Sequence, residues 1–147
     1  MKSVKIVKMN ELAKIPTCGS KKSAGYDLYA CITDNEITIK PHTTEKIHTG
    51  IQVKSPKNHF GAIFARSGLA TKQSLRPANC VGVVDEDYTG EIMVALHNDS
   101  DTSQVIKNGD RIAQLVFIKY KKVKWKECES LPSTERGSGG FGSTGMK

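Results

Sequence analysis

The chain has 147 residues, a formal net charge of +7 and a hydrophobic content of 37%. This length suits one domain with a real core and is too short for two ordinary domains. No apolar run approaches the roughly 20 residues of a membrane span, and the lysine-interrupted N-terminal segment lacks the apolar core of a signal peptide. We therefore expect a soluble cytoplasmic protein without membrane partners, or a nuclear one in a eukaryotic or viral source.

The cysteines do not form a metal-binding or redox motif. None of them belongs to a CxxC pair or lies near a histidine at metal-ligand spacing. We expect four free thiols with structural or incidental roles: Cys18, Cys31, Cys80 and Cys128.

Strand patterns recur along the chain, beginning with the clean alternation of residues 36–40. Turn residues such as Lys40-Pro41 and Asn108-Gly109 separate the segments. Short strands with turns roughly every ten residues predict an all-β sandwich or jelly roll, and only residues 67–74 could form a short helix. Four further segments place residues on a shared face: Ile47, Thr49, Ile51 and Val53; Phe60, Ala62 and Phe64; Ile92, Val94 and Leu96; Ile112, Gln114 and Val116.

The densest basic stretch is KYKKVKWK at residues 119–126. Its apolar residues change phase after Tyr120, so we predict a strand with one lysine-bearing face and a bulge near Lys121 and Lys122. A solvated strand face is the favoured interpretation, and a nucleic-acid-binding stripe is the alternative.

The last stretch, LPSTERGSGGFGSTGMK, differs from the rest in composition. Five of the chain's 13 glycines lie at positions 137, 139, 140, 142 and 145. Such a sequence does not form a strand or helix by itself. We predict a β domain over residues 1–132 and a glycine-rich arm over residues 133–147.

Two early motifs carry polar groups beside strands. In AGYDLYA, residues 24–30, Asp27 looks like a buried acid, and a simple turn aspartate is the alternative. In ARSGLA, residues 65–70, Arg66 offers planar donors for phosphate oxygens, and Ser67 and Gly68 add a hydroxyl and an amide. A structural salt bridge is the alternative role for the arginine.

An acidic turn follows an apolar run in NCVGVVDEDYTG, residues 79–90. A carboxylate at a strand end could activate water, with Tyr88 forming a wall beside a sugar; a plain acidic turn is the alternative. We choose Asp85 because it directly follows the strand and should be the best fixed of the three acids. Glu86 and Asp87 would then face solvent or a neighbouring subunit.

Two later motifs complete the set. In NGDRIAQLVF, the shared face with Ile112 and Val116 would point Gln114 inward, where its amide needs hydrogen-bond partners. In RGSGGFGSTG, residues 136–145, bare glycine amides, hydroxyls and an arginine suit a polyphosphate, and Phe141 could stack on a base. The latter is not a Walker A sequence, and a disordered tail is its alternative.

In order and spacing, these five motifs resemble the signature of the homotrimeric dUTPases from about residue 24 to residue 145. The resemblance implies a distorted β jelly roll, a threefold trimer whose sites draw motifs from more than one subunit, and an arm that closes over the site. It also implies hydrolysis of dUTP to dUMP and pyrophosphate through water attack on the α-phosphorus, which limits uracil in DNA and supplies dUMP for thymidylate synthesis. Nucleic acid is not required for this reaction.

The resemblance also assigns roles to residues. Asp85 would orient the attacking water, Tyr88 would exclude a 2′-hydroxyl, and Phe141 would cover the uracil. Mg²⁺ would bind through the phosphates and water without a direct protein ligand, with Asp27 acting indirectly. The substrate-binding residues implied are Arg66, Ser67, Gly68, Asn79, Gly82, Val83, Val84, Tyr88, Met93, Gln114, Arg136, Phe141, Gly142, Ser143 and Thr144.

The sequence departs from the family pattern at one position, and two alternative functions are considered. Thr89 stands where relatives commonly have a longer polar or basic residue, which affects a rim or subunit contact. A dCTP deaminase of the same superfamily should show a pyrimidine-directed glutamate and lack the glycine arm. A regulatory binding protein that keeps the fold would not need the intact catalytic set.

Overall fold

The computed structural model describes residues 3–140, which form eleven strands and one short helix, so the predicted all-β class is confirmed. The elements are β1 (Lys5–Lys8), β2 (Thr17–Cys18), β3 (Tyr26–Tyr29), β4 (Glu36–Ile39), β5 (Thr44–Lys54), β6 (His59–Phe64), α1 (Ser67–Lys72), β7 (Leu75–Pro77), β8 (Gly82–Val84), β9 (Glu91–Asn98), β10 (Gln104–Lys107) and β11 (Arg111–Lys119).

The strands lie in three antiparallel sheets around one hydrophobic core. A four-stranded sheet has the order β1-β5-β9-β7, a five-stranded sheet the order β2-β3-β11-β6-β8, and β10 pairs with β4. Fully buried residues from all three sheets meet in this core, among them Leu28, Ile39, Ile47, Leu96 and Ile112. The described helix is too short to cross a membrane.

The predicted faces of β5 and β9, which pair with each other, are confirmed. On β5, the four residues from Ile47 to Val53 at alternate positions are all buried, and so are Ile92, Val94 and Leu96 on β9. Each of these strands presents one face to the core, and that arrangement produces alternation with a period of two. The helix also lies inside the predicted segment, residues 67–74.

The shared face predicted for Ile112, Gln114 and Val116 is wrong. The register of β11 against β3 shifts just after Arg111, which marks a bulge at the start of the strand. Beyond the bulge, Leu115 faces the core, while Gln114 and Val116 lie half-buried on the opposite side. The bulge reverses the phase of the pattern, so Gln114 points away from the core.

The strand predicted for residues 119–126 is also wrong. Strand β11 ends at Lys119, and the segment that follows has no regular secondary structure. The amide of Tyr120 still donates to the carbonyl of Asn58 at 3.1 Å, but farther along Val123 is 70% and Trp125 91% exposed. Within residues 3–140 no strand pairs with the residues after Lys119, and a strand forms only with a partner.

Candidate active site

The segment around β8 borders a cavity of about 200 Å³ at one edge of the five-stranded sheet. Strand β8 pairs with β6, and the next residues turn back through a hydrogen bond from Tyr88 N–H to the Asp85 carbonyl at 3.2 Å. Seven of the predicted catalytic and substrate-binding residues line this cavity: Asn79, Gly82, Val83, Val84, Asp85, Tyr88 and Met93.

The ring of Tyr88 is held by the strand behind it. Its hydroxyl donates to the carbonyl oxygen of Glu91 at 2.9 Å. The Glu91 carboxylate in turn accepts from the amide of Gly50 at 2.8 Å and contacts His48 Nδ1 at 2.8 Å. Glu91 was not predicted from the sequence, and it fixes one wall of the cavity through the irregular pairing of β5 and β9.

The three acids of the turn differ from expectation. Asp85 is exposed at the end of β8, whereas Glu86 is half-buried, so Asp85 is not the best-fixed acid. The Glu86 carboxylate accepts hydrogen bonds from the amide of Asn58 and the hydroxyl of Tyr120, both at 2.9 Å. Glu86 therefore does not simply face solvent, while Asp87 is exposed.

The ionisation of this pair follows from its contacts. The hydrogen bond from Tyr120 is the largest cause that lowers the pKa of Glu86 below its ordinary value of 4.5, and the Asn58 amide and nearby lysines act in the same direction. The same hydrogen bond raises the pKa of Tyr120 above its ordinary value of 10.0. Glu86 is therefore a carboxylate at neutral pH and acts as an acceptor for both neighbours.

A second cavity, of about 240 Å³, contains the predicted phosphate-binding groups. Asp27, whose side chain is 14% exposed, pairs with Arg66 Nε at 2.9 Å and with an Arg111 nitrogen at 3.3 Å. Two guanidinium groups around one carboxylate leave a net positive charge. The lining residues are Gly19, Ser23, Gly25, Asp27, Arg66, Ser67, Gly68, Arg111 and Gln114.

Four of these lining residues were not predicted from the sequence: Gly19, Ser23, Gly25 and Arg111. The salt bridge considered as an alternative for Arg66 exists, and it belongs to the same cavity rather than replacing it. Arg111 lies inside the NGDRIAQLVF motif, three residues before Gln114. This position could have identified it as a site residue.

Neighbouring residues hold the side chain of Gln114 in this cavity. Its amide nitrogen donates to the carbonyl of Ala65 at 2.9 Å, which supplies the partner that the sequence required. A Cβ atom on Gly25 would collide with the Gln114 side chain, so glycine at that position leaves room for the amide. The predicted site residue Arg136 is exposed and donates to the Gly139 carbonyl at 3.0 Å. Phe141, Gly142, Ser143 and Thr144 lie outside the described residues.

The Asp85 end of the β8 cavity lies far from Arg66 within one chain, and the two cavities share no lining residue. Val84 pairs with Gly61 on β6. Because β8 runs antiparallel to β6, the next residue, Asp85, lies farther from Arg66. The five steps along the chain from Gly61 to Arg66 span about 17 Å in extended backbone. Asp27 lies farther still, on β3, two strands from β6 on the side opposite β8.

Comparison with known proteins agrees with both the motifs and the fold. A sequence model of the dUTPase family matches residues 11–145. The chain belongs to the dUTPase family. Family members hydrolyse dUTP to dUMP.

Individual dUTPases match along nearly their whole length. The deoxyuridine 5'-triphosphate nucleotidohydrolase of Desulfitobacterium hafniense is 44% identical over 151 residues and covers 99% of each chain. That of Rickettsia bellii is 46% identical over 144 residues, with 97% of this chain and 95% of the relative covered. A Staphylococcus bacteriophage 80alpha dUTPase variant solved with dUpNHpp has a TM-score of 0.89 at 25% identity, covering 99% of this chain and 100% of that one.

Proposed function

We propose that this chain hydrolyses dUTP to dUMP and pyrophosphate, with Asp85 orienting the water that attacks the α-phosphorus. The observation that carries the proposal is the convergence of seven predicted site residues on the β8 cavity, in a chain that matches the dUTPase family along its length. Asp85 lies at the end of β8, where its exposed carboxylate can accept a proton from water. The reaction would limit uracil in DNA and supply dUMP for thymidylate synthesis.

The edge of β8 supports recognition of uracil. In the described sheet, β8 is a terminal strand that pairs only with β6, so its outer edge presents backbone N–H and C=O groups. Uracil offers an acceptor, a donor and an acceptor along O2, N3–H and O4, and this alternation suits a strand edge. Cytosine has an acceptor at N3 and an amino donor at C4, so the same backbone would oppose like groups.

Tyr88 supports discrimination against ribonucleotides. The hydrogen bond to the Glu91 carbonyl keeps its ring against the cavity. A ring fixed in this way can pack on a deoxyribose and collide with an added 2′-hydroxyl. Rejection then results from an unfavourable contact rather than from a missing one.

The Asp27 cavity supports binding of the triphosphate, whose charge must be compensated before water can attack. Arg66, Arg111 and Gln114 offer donors there, together with the hydroxyl of Ser67. Within residues 3–140 no cluster of three or more metal-ligating side chains exists, and the Asp27 carboxylate is already paired. This donor set fits a Mg²⁺ ion carried by phosphate oxygens and water, where it would neutralise charge.

The separation of the two cavities supports a composite site in a homotrimer. The stretch of about 17 Å from Gly61, opposite Val84, to Arg66 is longer than a triphosphate. We propose that one subunit supplies the turn that carries Asp85 and another supplies the Asp27 cavity, as a closed symmetric trimer allows. The arm from residue 133 onward would then close over the site, with Phe141 on the uracil and Arg136, Gly142, Ser143 and Thr144 at the phosphates.

Removal of residues 134–147 should lower kcat/KM for dUTP by at least about tenfold, because a lid excludes water and completes the phosphate contacts. Steady-state pyrophosphate release measures the change. A chain lacking only residues 146 and 147, which follow the RGSGGFGSTG motif, is the control. Full activity of the longer truncation would exclude a lid role for the arm.

Replacement of Gly90 by alanine should displace Tyr88, because the new Cβ would lie 2.6 Å from the tyrosine hydroxyl. We expect kcat/KM for dUTP to fall about tenfold and the preference for dUTP over UTP to narrow, as for other misplaced pocket contacts. Kinetics with both nucleotides measure this change, and Thr89→Ser in the same turn is the matched control. An unchanged ratio would remove Tyr88 from sugar selection.

A pyrophosphate-release assay across dUTP, dTTP, dCTP and UTP, with Mg²⁺ and with a chelator, tests the proposed function. Release from dUTP alone, dependent on Mg²⁺, is the expected result. Ammonia release from dCTP would identify a deaminase of the superfamily. Binding of dUTP without turnover would identify a regulatory protein that keeps the fold.

A further inference from the structure

Glu86 lies in the candidate catalytic turn, directly after Asp85 and in contact with Tyr120 at the end of β11, and it has no role in the proposed mechanism. We propose that Glu86 is a positioning residue, which together with Tyr120 fixes the turn that carries Asp85. The inference rests on the proposed function, because it concerns the placement of the same carboxylate.

Three groups hold Glu86 in place. Its carboxylate accepts from the Asn58 amide and the Tyr120 hydroxyl at 2.9 Å, and its carbonyl accepts from Lys54 Nζ at 2.5 Å. Asn58 and Tyr120 are themselves joined, because the Tyr120 amide donates to the Asn58 carbonyl at 3.1 Å. Glu86 therefore closes a small network between the β5–β6 turn, the end of β11 and the turn after β8.

This network is important for Asp85 because packing does not hold that residue. Asp85 is exposed, and its position follows from the backbone of the turn that it shares with Tyr88. Glu86 is the next residue, and both its side chain and its carbonyl are anchored. A misplacement of about 1 Å at a reacting group can cost a hundredfold in rate, so anchoring the adjacent residue has a large effect on turnover.

Tyr120 gives the network a second consequence. It is the first residue after β11, and its ring packs edge-on against Phe60 with the centroids 6.3 Å apart. The chain leaves this point toward the glycine-rich segment. The bond to Glu86 thus links the catalytic turn to the end of β11, so removal of the bond should disturb both the turn and the end of that strand.

Two substitutions remove the bond from opposite ends. Tyr120→Phe keeps the ring against Phe60 and removes only the hydroxyl, and Glu86→Ala removes the acceptor. We expect Tyr120→Phe to lower kcat about fivefold to tenfold, with KM for dUTP within twofold, and Glu86→Ala to lower kcat at least as much. The double variant should be no slower than Glu86→Ala alone, because both changes remove the same bond.

The conservative variant and a neighbour separate positioning from general destabilisation. Glu86→Gln keeps an oxygen that can accept both bonds, and it should recover most of the lost kcat. Asp87→Asn, an exposed acid one residue away, should match the unsubstituted chain. Thermal unfolding of each variant shows whether the kinetic changes follow stability.

Three results would overturn the proposal: unchanged kcat in Tyr120→Phe, additive losses in the double variant, or no recovery in Glu86→Gln. If Glu86→Ala does not fold, Tyr120→Phe and Glu86→Gln decide the question by themselves. Failure of the proposed function is a separate observation, because the unsubstituted chain would then release no pyrophosphate from dUTP.

Discussion

The Asp85→Asn variant should bind dUTP nearly as well as the unsubstituted chain and turn it over about a hundred to ten thousand times more slowly. Asparagine retains the size and the hydrogen-bonding oxygen of aspartate, but it does not take a proton from water. Because the loss falls on the chemical step, kcat should fall while KM changes little. Single-turnover kinetics measure the step, and calorimetric titration with dUTP measures binding.

The neighbouring acids provide the comparison for this result. Asp87→Asn changes the same charge on an exposed side chain and should leave turnover intact. Near-normal turnover in Asp85→Asn would remove Asp85 as the base. The half-buried Glu86 would then be the acid to examine next, although its two hydrogen bonds at 2.9 Å already occupy its carboxylate.

These acids also show where sequence reasoning ended. The motif gave three acids after a strand, and proximity to that strand favoured Asp85 as the most rigid. Rigidity comes instead from partners distant in the chain, because Glu86 is held by Asn58, 28 residues away, and by Tyr120, 34 residues away. Such contacts depend on the pairing of whole strands and leave no local pattern.

For secondary structure too, local patterns were predictable from the sequence and features that depend on distant partners were not. The alternation of β5 and β9 was predictable because each strand has one face on the core. The direction of Gln114 was not, since a single bulge at the start of β11 reverses every side chain beyond it. For residues 119–126, alternation alone did not reveal whether a pairing strand was present. The motifs named most residues of both cavities, but only the register of β8 on β6 showed their separation.

Replacement of Arg66 by glutamine should lower kcat/KM for dUTP about a hundredfold to a thousandfold, the usual range for losing a donor to developing charge. The substitution removes a charge from the phosphate cavity and leaves Asp27 paired only with Arg111. Arg111→Gln should have a smaller effect, because Arg111 is 51% exposed and lies 3.3 Å from Asp27, against 27% and 2.9 Å for Arg66. Steady-state kinetics on both variants show which substitution lowers kcat/KM more.

A matched arginine outside both cavities serves as the control. Arg76 forms a two-point ion pair with Asp99, at 2.7 and 2.9 Å, and it lines neither cavity. Arg76→Gln should therefore leave kcat/KM for dUTP within about twofold of the original, as expected for a partly exposed pair away from the chemistry. Equal losses in Arg66→Gln and Arg76→Gln would assign the Arg66 effect to folding.

Mixing the two inactive variants tests the composite site directly. If Asp85 and Arg66 reach one nucleotide from different subunits, an Asp85→Asn chain still has an intact phosphate cavity. An Arg66→Gln chain still has an intact turn with Asp85. Random co-assembly from an equal mixture gives each site both intact halves with a probability of one half times one half, so about a quarter of the original activity should return. Each variant alone provides the baseline. A co-refolded mixture that stays at that baseline would place both residues in the same subunit's site, despite the stretch of about 17 Å between the level of Val84 and Arg66.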